Sequence, residues 1–171
     1  MTAVTIRTYR DSDLDSCRLL WAELTEVHRD LYQDPGIGGE EPGQFFDQHL
    51  SRVGPECIWI AEVGGAIAGL TGLIVEEGGA EAEVEPVIVA AAYRDHGVGQ
   101  ALVGRAVEEA RHLGMRYLNV RPVARNVKAV SFYFRCGFHT LGQLEMFIDL
   151  TREESRPWKP GPELFGHRFD F

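Results

Sequence analysis

The feature that most limits the fold is a strand-like sequence that runs through a glycine-containing turn directly into a helix-like sequence. Glu81 to Ala90 is rich in valine and isoleucine, which is typical of a β-strand. After Gly97, apolar residues recur at helical spacing as far as Leu113, and Gly114 supplies a helix stop. A strand, a short turn and a helix in this order indicate a sheet with helices packed against it.

The rest of the chain repeats these two patterns. β-Branched and aromatic spacing predicts further strands at residues 4–9, 57–63, 66–76 and 115–121, and a long final strand or hairpin arm at 138–150. Helical spacing predicts helices at about 13–32, 44–52, 97–113 and 126–135. Gly64 and Gly65 between two strands predict a tight antiparallel hairpin. The order β-α-α-β-β-β-α-β-α-β predicts an α/β fold with a mixed central sheet flanked by helices.

The length of 171 residues favours one domain with a small appendage. We predict that the domain covers residues 1–150. Residues 151–171 contain Pro157, Pro160 and Pro162 among aromatic residues, which predicts an irregular C-terminal tail that packs on the domain or on a partner subunit.

Charge and cysteine content narrow the expected partners and compartment. The chain has 17 Lys and Arg against 26 Asp and Glu, a net charge of −9, which argues against binding to nucleic acid or to anionic membranes. Three cysteines without a C-x-x-C pair fit a reducing compartment, and Met1 to Arg10 lacks the apolar core of a secretory signal, so we expect a cytoplasmic protein. The histidines form no i, i+4 pair, so we expect no metal site.

The glycine turn has the chemistry of an anion site. Gly97 and Gly99 let backbone N–H groups approach an anion closely, and a helix N-terminus adds unpaired donors and partial positive charge, with Arg94 as a nearby cation. A phosphate loop of the Walker type would need Gly-Lys-Ser/Thr, and a dinucleotide fingerprint would need a small residue where Leu102 stands. The glycines alone are equally explained by tight packing at a plain helix start.

Two motifs in this region carry a resemblance to a known family. The segment Arg94-x-x-Gly97-x-Gly99 after a valine-rich strand resembles the acetyl-CoA signature of the GCN5-related N-acetyltransferase (GNAT) superfamily. A second segment is similar to that family's fourth-helix motif: Asn126-x-x-Ala129-x-x-Phe132-Tyr133-x-x-x-Gly137-Phe138. The resemblance covers about residues 4–150, is concentrated in 83–138, and implies a GNAT-like acyl-CoA transferase fold.

The resemblance implies acetyl-CoA as cosubstrate and assigns residues to it. Backbone amides of the turn would hold the coenzyme A pyrophosphate at Arg94, Asp95, His96, Gly97, Val98, Gly99 and Gln100. The preceding strand would bind the pantetheine arm through the backbone of Val87, Ile88 and Val89, and Asn126 and Ala129 would contact the cofactor. Asp95 stands where the family often has glycine. Asn126 is also a good helix N-cap, and both roles are compatible.

Acetyl transfer to an amine needs a base, because an ammonium with a pKa near 10 must lose a proton before it attacks. In an unbroken strand, Glu81, Glu83 and Glu85 would share one face with Val87, and a face that changes from acidic to apolar is inconsistent. Pro86 lies at the change, so we predict a β-bulge there that resets the alternation. A solvated strand face is the alternative for these glutamates, and we expect it for Glu81. Counted back from Arg94, Glu83 matches the position of the glutamate base in some members of the family, so the resemblance implies Glu83, or else the nearer Glu85, as the base, directly or through water.

Tyr133 matches the position of the family's usual general acid, which protonates the thiolate of coenzyme A. A core tyrosine with a satisfied hydroxyl is the alternative for this residue. We therefore expect an N-acetyltransferase that acts by direct attack in a ternary complex on a small-molecule or peptide amine. The acidic loop Gln33 to Gly43 would border the acceptor site.

Two other functions stay open at this point. The first is an acyl-CoA sensor of the same fold without catalysis, and the second is an α/β domain that binds another phosphorylated ligand through the Gly97 turn. A homodimer is compatible with the aromatic residues of the C-terminal tail.

Overall fold

The computed structural model describes residues 3–76, 78–148, 150 and 158–171. These residues form two compact units, Met1–Val120 and Arg121–Phe171, and each unit is described by itself. Within the described ranges, no helix has the length and apolar character needed to cross a membrane.

The first unit is a five-stranded mixed sheet with helices on both faces, as predicted. Its strands are β1 (Val4–Thr8), β2 (Ile58–Val63), β3 (Ala66–Val75), β4 (Glu81–Val89) and β5 (Tyr117–Asn119). Its helices are α1 (Leu14–Tyr32), α2 (Phe45–Val53) and α3 (Val98–His112). The strands lie in chain order, every neighbouring pair is antiparallel except β4 and β5, and the parallel pair is connected through α3.

The two faces of the sheet bury different helices. Along β3, a Cβ on Gly69 would contact Leu102 of α3, whereas a Cβ on Gly72 would contact His49 of α2. Residues three apart on a strand point to opposite faces, so α3 covers one face and α2 the other. The core on the side of α1 and α2 contains Tyr9, Cys17, Leu20, Phe46, Ile58, Ile60, Leu70 and Ile88. The core on the α3 side contains Ala61, Ala68, Val98 and Leu102.

The predicted hairpin between β2 and β3 is confirmed, and Gly64 and Gly65 have φ of +60° and +82°. Positive φ at both central residues is typical of a type I′ turn, whose twist matches that of the two flanking strands. The predicted strand at 115–121 is correct in type but too long, because β5 pairs with β4 only through Tyr117, Leu118 and Asn119.

The second unit begins with α4 (Val127–Arg135), which is the predicted fourth helix. The predicted strand at 138–150 is wrong for the residues described there, 138–148 and 150, which have no strand conformation. The Phe138 amide bonds to the Tyr133 carbonyl and the His139 amide to that of Gly137, so the chain leaves α4 in turns. Strand-like composition forms a strand only where a neighbour completes a ladder, and Met146 and Ile148 instead lie 71% and 82% exposed.

The prediction of an irregular tail is also wrong for residues 158–171. This segment forms a hairpin of β6 (Pro160–Leu164) and β7 (His167–Asp170), and Phe165 and Gly166 form its turn with φ of +55° and +76°. Prolines are tolerated at strand starts and on edge positions that donate no ladder hydrogen bond. The part of the tail at 151–157 lies outside the described residues.

Candidate functional site

The bulge predicted at Pro86 is present in β4. Across the antiparallel pair, Thr71 lies opposite Val87, but Leu73 lies opposite Val84, so β4 has one extra residue over this interval. The Thr71 hydroxyl donates to the Pro86 carbonyl oxygen at 2.8 Å and fixes the bulge from β3. The Glu85–Pro86 peptide is cis. The bulge therefore reverses which face each later residue of β4 occupies.

The reversal separates the carboxylates of β4 from its valines. Glu83 pairs with Ile74, which shares a face with Gly72 and hence lies toward α2. Val89 packs in the α3-side core, on the opposite face. An unbroken strand would have placed Glu83 and Val89 on the same face, so the conflict in the sequence is resolved as predicted.

Beyond Glu83, β4 has an open edge. Its pairing with β5 ends at Glu83, and no later residue of β4 pairs with β5. The Ala90 amide donates to a β3 carbonyl at 2.9 Å, so by alternation Ile88 also directs its backbone groups toward β3. Val87 and Val89 consequently direct their N–H and C=O groups to the open edge. Of the three predicted arm-binding residues, two present backbone groups there and Ile88 does not.

The turn after β4 presents a row of amides at the start of α3 that no described residue accepts. A short 3-10 turn, Ala91–Tyr93, leads to Asp95 with φ of +63° and Gly97 with φ of +81°. Among the described residues, no backbone acceptor receives the amides of residues 95–100, and the first amide to be bonded is that of Ala101. Asp95 thus adopts a left-handed conformation that glycine adopts more easily.

This turn fits a diphosphate. A Cβ built on Gly97 meets no atom within 4 Å, so the space beside the unpaired amides is open. Arg94 donates from Nε to the Val89 carbonyl oxygen at 3.1 Å, and its terminal nitrogens have no partner in the described part of the chain. His96 Nδ1–H donates to the Arg94 carbonyl oxygen at 2.6 Å and holds the turn closed. Unpaired amides at a helix N-terminus beside a guanidinium are the donors that phosphate groups require.

The two candidate bases differ in environment. Glu83 is 8% exposed and lies on the α2 face of β4, whereas the side chain of Glu85 is 44% exposed. Arg52 of α2 forms an ion pair with Glu85 at 3.2 Å. Glu81, expected on a solvated face, accepts a hydrogen bond from Asn119 at 3.1 Å. Glu83 is therefore the more buried of the two candidate bases.

In the second unit, α4 is built as its motif predicts. Asn126 caps the helix, because its Oδ1 accepts the amide of Ala129 at 3.1 Å. Tyr133 packs against Phe132 and Phe138 with ring centroids 5.1 and 5.8 Å away, and burial raises the pKa of Tyr133 to about 12. Its hydroxyl makes no hydrogen bond to any residue that the structure describes. With this pKa, the hydroxyl is protonated at neutral pH.

In the first unit, His49 of α2 and Gly72 of β3 were not predicted from the sequence as parts of the site. His49 lies on the buried face of α2 and is 6% exposed, with its Nε2 directed at Gly72 of β3. The histidine occurs at a position where helical spacing calls for an apolar residue, between Phe46 and Val53. A polar residue among the apolar residues of this helix face could have identified His49 as a candidate for the site.

The sequence matches the acetyltransferase (GNAT) family over residues 18–138, which is well over half of the chain. The chain belongs to the GNAT family. Its motifs at residues 94–99 and 126–138 therefore lie within a family match, and the resemblance drawn from them is confirmed. Among curated proteins, no sequence matches the chain significantly.

Several solved acetyltransferase structures share the fold of this GNAT chain. An acetyltransferase of the GNAT family from Staphylococcus aureus Mu50 superposes with a TM-score of 0.68 at 15% identity, covering 90% of this chain and 96% of the other. Glucosamine-6-phosphate N-acetyltransferase from Arabidopsis thaliana gives 0.60 at 20% identity over 86% and 99%. An aminoglycoside acetyltransferase from an uncultured soil metagenomic sample, in complex with sisomicin, gives 0.62 at 14% over 85% and 94%.

Proposed function

We propose that this protein transfers an acetyl group from acetyl-CoA to a primary amine by direct attack in a ternary complex. The observation that carries the proposal is the row of amides at residues 95–100, which have no acceptor among the described residues and which follow a strand with an open edge. Members of the family are acetyltransferases, and two solved relatives are named for amino-sugar and aminoglycoside acceptors.

Coenzyme A would be held by groups that this chain directs outward. The amides of residues 95–100 and the guanidinium of Arg94 would take the pyrophosphate, as the resemblance implies. Val87 and Val89 would take the pantetheine arm through backbone groups at the open edge. Acetyl-CoA would supply the activated acyl group, whose C–S bond breaks as the amine nitrogen forms the new C–N bond.

The protein's own contribution is to move two protons. We propose Glu83 as the base that removes the proton from the acceptor ammonium, since it is buried and lies on the α2 face of β4. Glu85 is the alternative base, but its side chain is 44% exposed. Tyr133 is the proposed acid for the departing thiolate, and with a pKa that burial raises to about 12 its hydroxyl carries a proton at neutral pH.

The test is a thiol-release assay with acetyl-CoA and a panel of primary amines that contains polyamines, amino sugars, an aminoglycoside and peptides with free N-termini. Wild-type protein should acetylate at least one of these. Glu83→Gln and Tyr133→Phe should each lower kcat by about a hundredfold or more, the usual contribution of general acid–base catalysis, and leave coenzyme A affinity unchanged.

Glu85→Gln is the matched control, because it removes a carboxylate from the same strand that we do not assign as the base. It should retain most of the activity. Loss of activity in Glu85→Gln but not in Glu83→Gln would reverse the assignment. Tight coenzyme A binding without turnover of any amine would contradict catalysis and favour the acyl-CoA sensor.

A further inference from the structure

One buried polar atom on the α2 face of the sheet has no partner. His49 is 6% exposed, and its Nε2 makes no hydrogen bond to any residue the structure describes. Its ring packs against Trp21 of α1 with centroids 5.3 Å apart. The side chain is thus held firmly inside the first unit, with one hydrogen-bonding nitrogen unused.

This nitrogen is costly for the fold. Burying a polar group without a hydrogen bond is unfavourable, and unpartnered buried groups in proteins are uncommon enough to require an explanation. The ring packs against Trp21, and the other core-facing residues of α2, Phe46, Leu50 and Val53, are apolar, so a leucine at this position would fit the stripe without an unpaired atom. Stability therefore does not account for a histidine here.

The position of Nε2 relates it to the proposed reaction. A Cβ built on Gly72 would lie 2.6 Å from His49 Nε2 and 2.6 Å from the Glu85 carbonyl oxygen, so both atoms border the same point of the sheet. That point lies opposite the bulge of β4. Glu83, the proposed base, is on the same face of the sheet through its pairing with Ile74. Nε2 and the proposed base are consequently on the α2 side of the bulge.

We propose that His49 binds the acceptor amine, with Nε2 accepting a hydrogen bond from an amine N–H on the α2 side of the β4 bulge. This inference rests on the proposed function and names a further substrate-binding residue for it. The imidazole is neutral at physiological pH, because burial lowers the pKa of His49 to about 4. A neutral ring nitrogen offers a lone pair to a donor such as an amine, whereas an imidazolium would repel an ammonium.

Binding in this way requires a local rearrangement, because neighbouring atoms cover Nε2. At the surface, α2 contacts β4 through the ion pair of Arg52 with Glu85, in which both side chains are about half exposed, 57% and 44%. Exposed pairs of this kind contribute little to stability, so they separate readily. Side-chain changes of this size are common when partners bind.

The direct test uses ¹⁵N-histidine-labelled protein saturated with coenzyme A, with n-butylamine as the probe and n-butanol as the control of the same shape. The Nε2 resonance of His49, assigned by its loss in His49→Gln, should shift with butylamine and stay unchanged with butanol. No shift with butylamine, or equal shifts with both compounds, would overturn the proposal.

Three variants separate a role in binding from a role in packing. Glutamine places its amide where Nε2 lies, asparagine places it near Nδ1, and leucine has no polar atom. The assay uses an amine from the panel that the wild-type protein acetylates. His49→Leu and His49→Asn should raise the KM for this amine about tenfold, which corresponds to the loss of one hydrogen bond, and should leave the KM for acetyl-CoA unchanged. His49→Gln should restore part of the affinity, and His49→Leu should melt no lower than wild type.

An acceptor KM in His49→Leu within twofold of wild type would overturn the proposal. If the melting temperature fell in His49→Leu and fell equally in His49→Gln, the residue would have a packing role, and the proposal would also be overturned. A butylamine-dependent shift of Nε2 in a protein that acetylates no amine would refute the proposed function and leave His49 as an amine-binding group.

Discussion

Replacing Gly97 by alanine tests whether the turn before α3 binds coenzyme A through its backbone. Gly97 has φ of +81°, and a Cβ there would meet no atom within 4 Å, so the substitution creates no clash inside the protein. The cost to the fold is then that of a left-handed conformation in a residue with a side chain, about 1 kcal/mol. For a chain of this length we expect the melting temperature to fall by about 2–4 °C.

Gly114 provides a matched control at the other end of α3. It has φ of +73°, and a Cβ there also meets nothing within 4 Å. Gly114→Ala should therefore lower the melting temperature by the same amount as Gly97→Ala. Only Gly97→Ala adds a methyl group beside the unpaired amides, where it would hold a diphosphate away from them.

Isothermal titration calorimetry with coenzyme A, together with thermal unfolding, separates the two effects. We expect Gly97→Ala to weaken coenzyme A at least tenfold, which corresponds to about 1.4 kcal/mol, and Gly114→Ala to bind it as wild type does. Equal affinity in both variants would refute the reasoning, because the backbone strain would then be the only consequence of the change.

Other predictions concern single contacts. Burial lowers the pKa of His49 from 6.5 to about 4, so between these pH values the folded protein binds fewer protons than the unfolded chain. As pH falls from 6.5 to 4, wild type should therefore lose up to about 3 kcal/mol of stability relative to His49→Gln. Urea unfolding that gives the two proteins parallel curves of stability against pH would contradict this. Asn126→Ala removes the cap of α4 and should cost about 1 kcal/mol in urea unfolding, with Asn126→Ser restoring most of it. Asp13, 3% exposed, accepts from two nitrogens of Arg7 at 2.7 and 2.9 Å, so Asp13→Asn should cost about 3 kcal/mol, and a loss below 1 kcal/mol would show that the pair is not coupled to folding.

The sequence was most informative where two local signals disagreed. In β4, alternation placed Glu83 and Val87 on one face, and Pro86 marked the position of the conflict, so a bulge could be predicted before its register was known. The register was still needed to separate the candidate bases. Only the pairing with Ile74 shows that Glu83 faces α2, and only the structure shows that Glu83 is buried while Glu85 is 44% exposed.

The predictions failed where tertiary partners decide the conformation. Residues 138–148 have strand-like composition, but strand formation depends on a neighbour, and sequence does not identify one. The hairpin of β6 and β7 was missed because its turn, Phe165 and Gly166, lacks the Asn-Gly or Asp-Gly signal although both residues have positive φ. His49 was missed because a single histidine in an apolar stripe gives no indication of whether its nitrogens have partners.

The most direct test of the central claim is an amide NMR titration with coenzyme A. We predict that the largest shifts fall on the amides of residues 95–100 and on those of Val87 and Val89 at the open edge of β4. The amides of residues 95–100 have no backbone acceptor in the described part of the chain. Ile88, whose backbone groups face β3, should shift less than either valine. Binding that leaves residues 95–100 unchanged, or the absence of binding, would contradict the account.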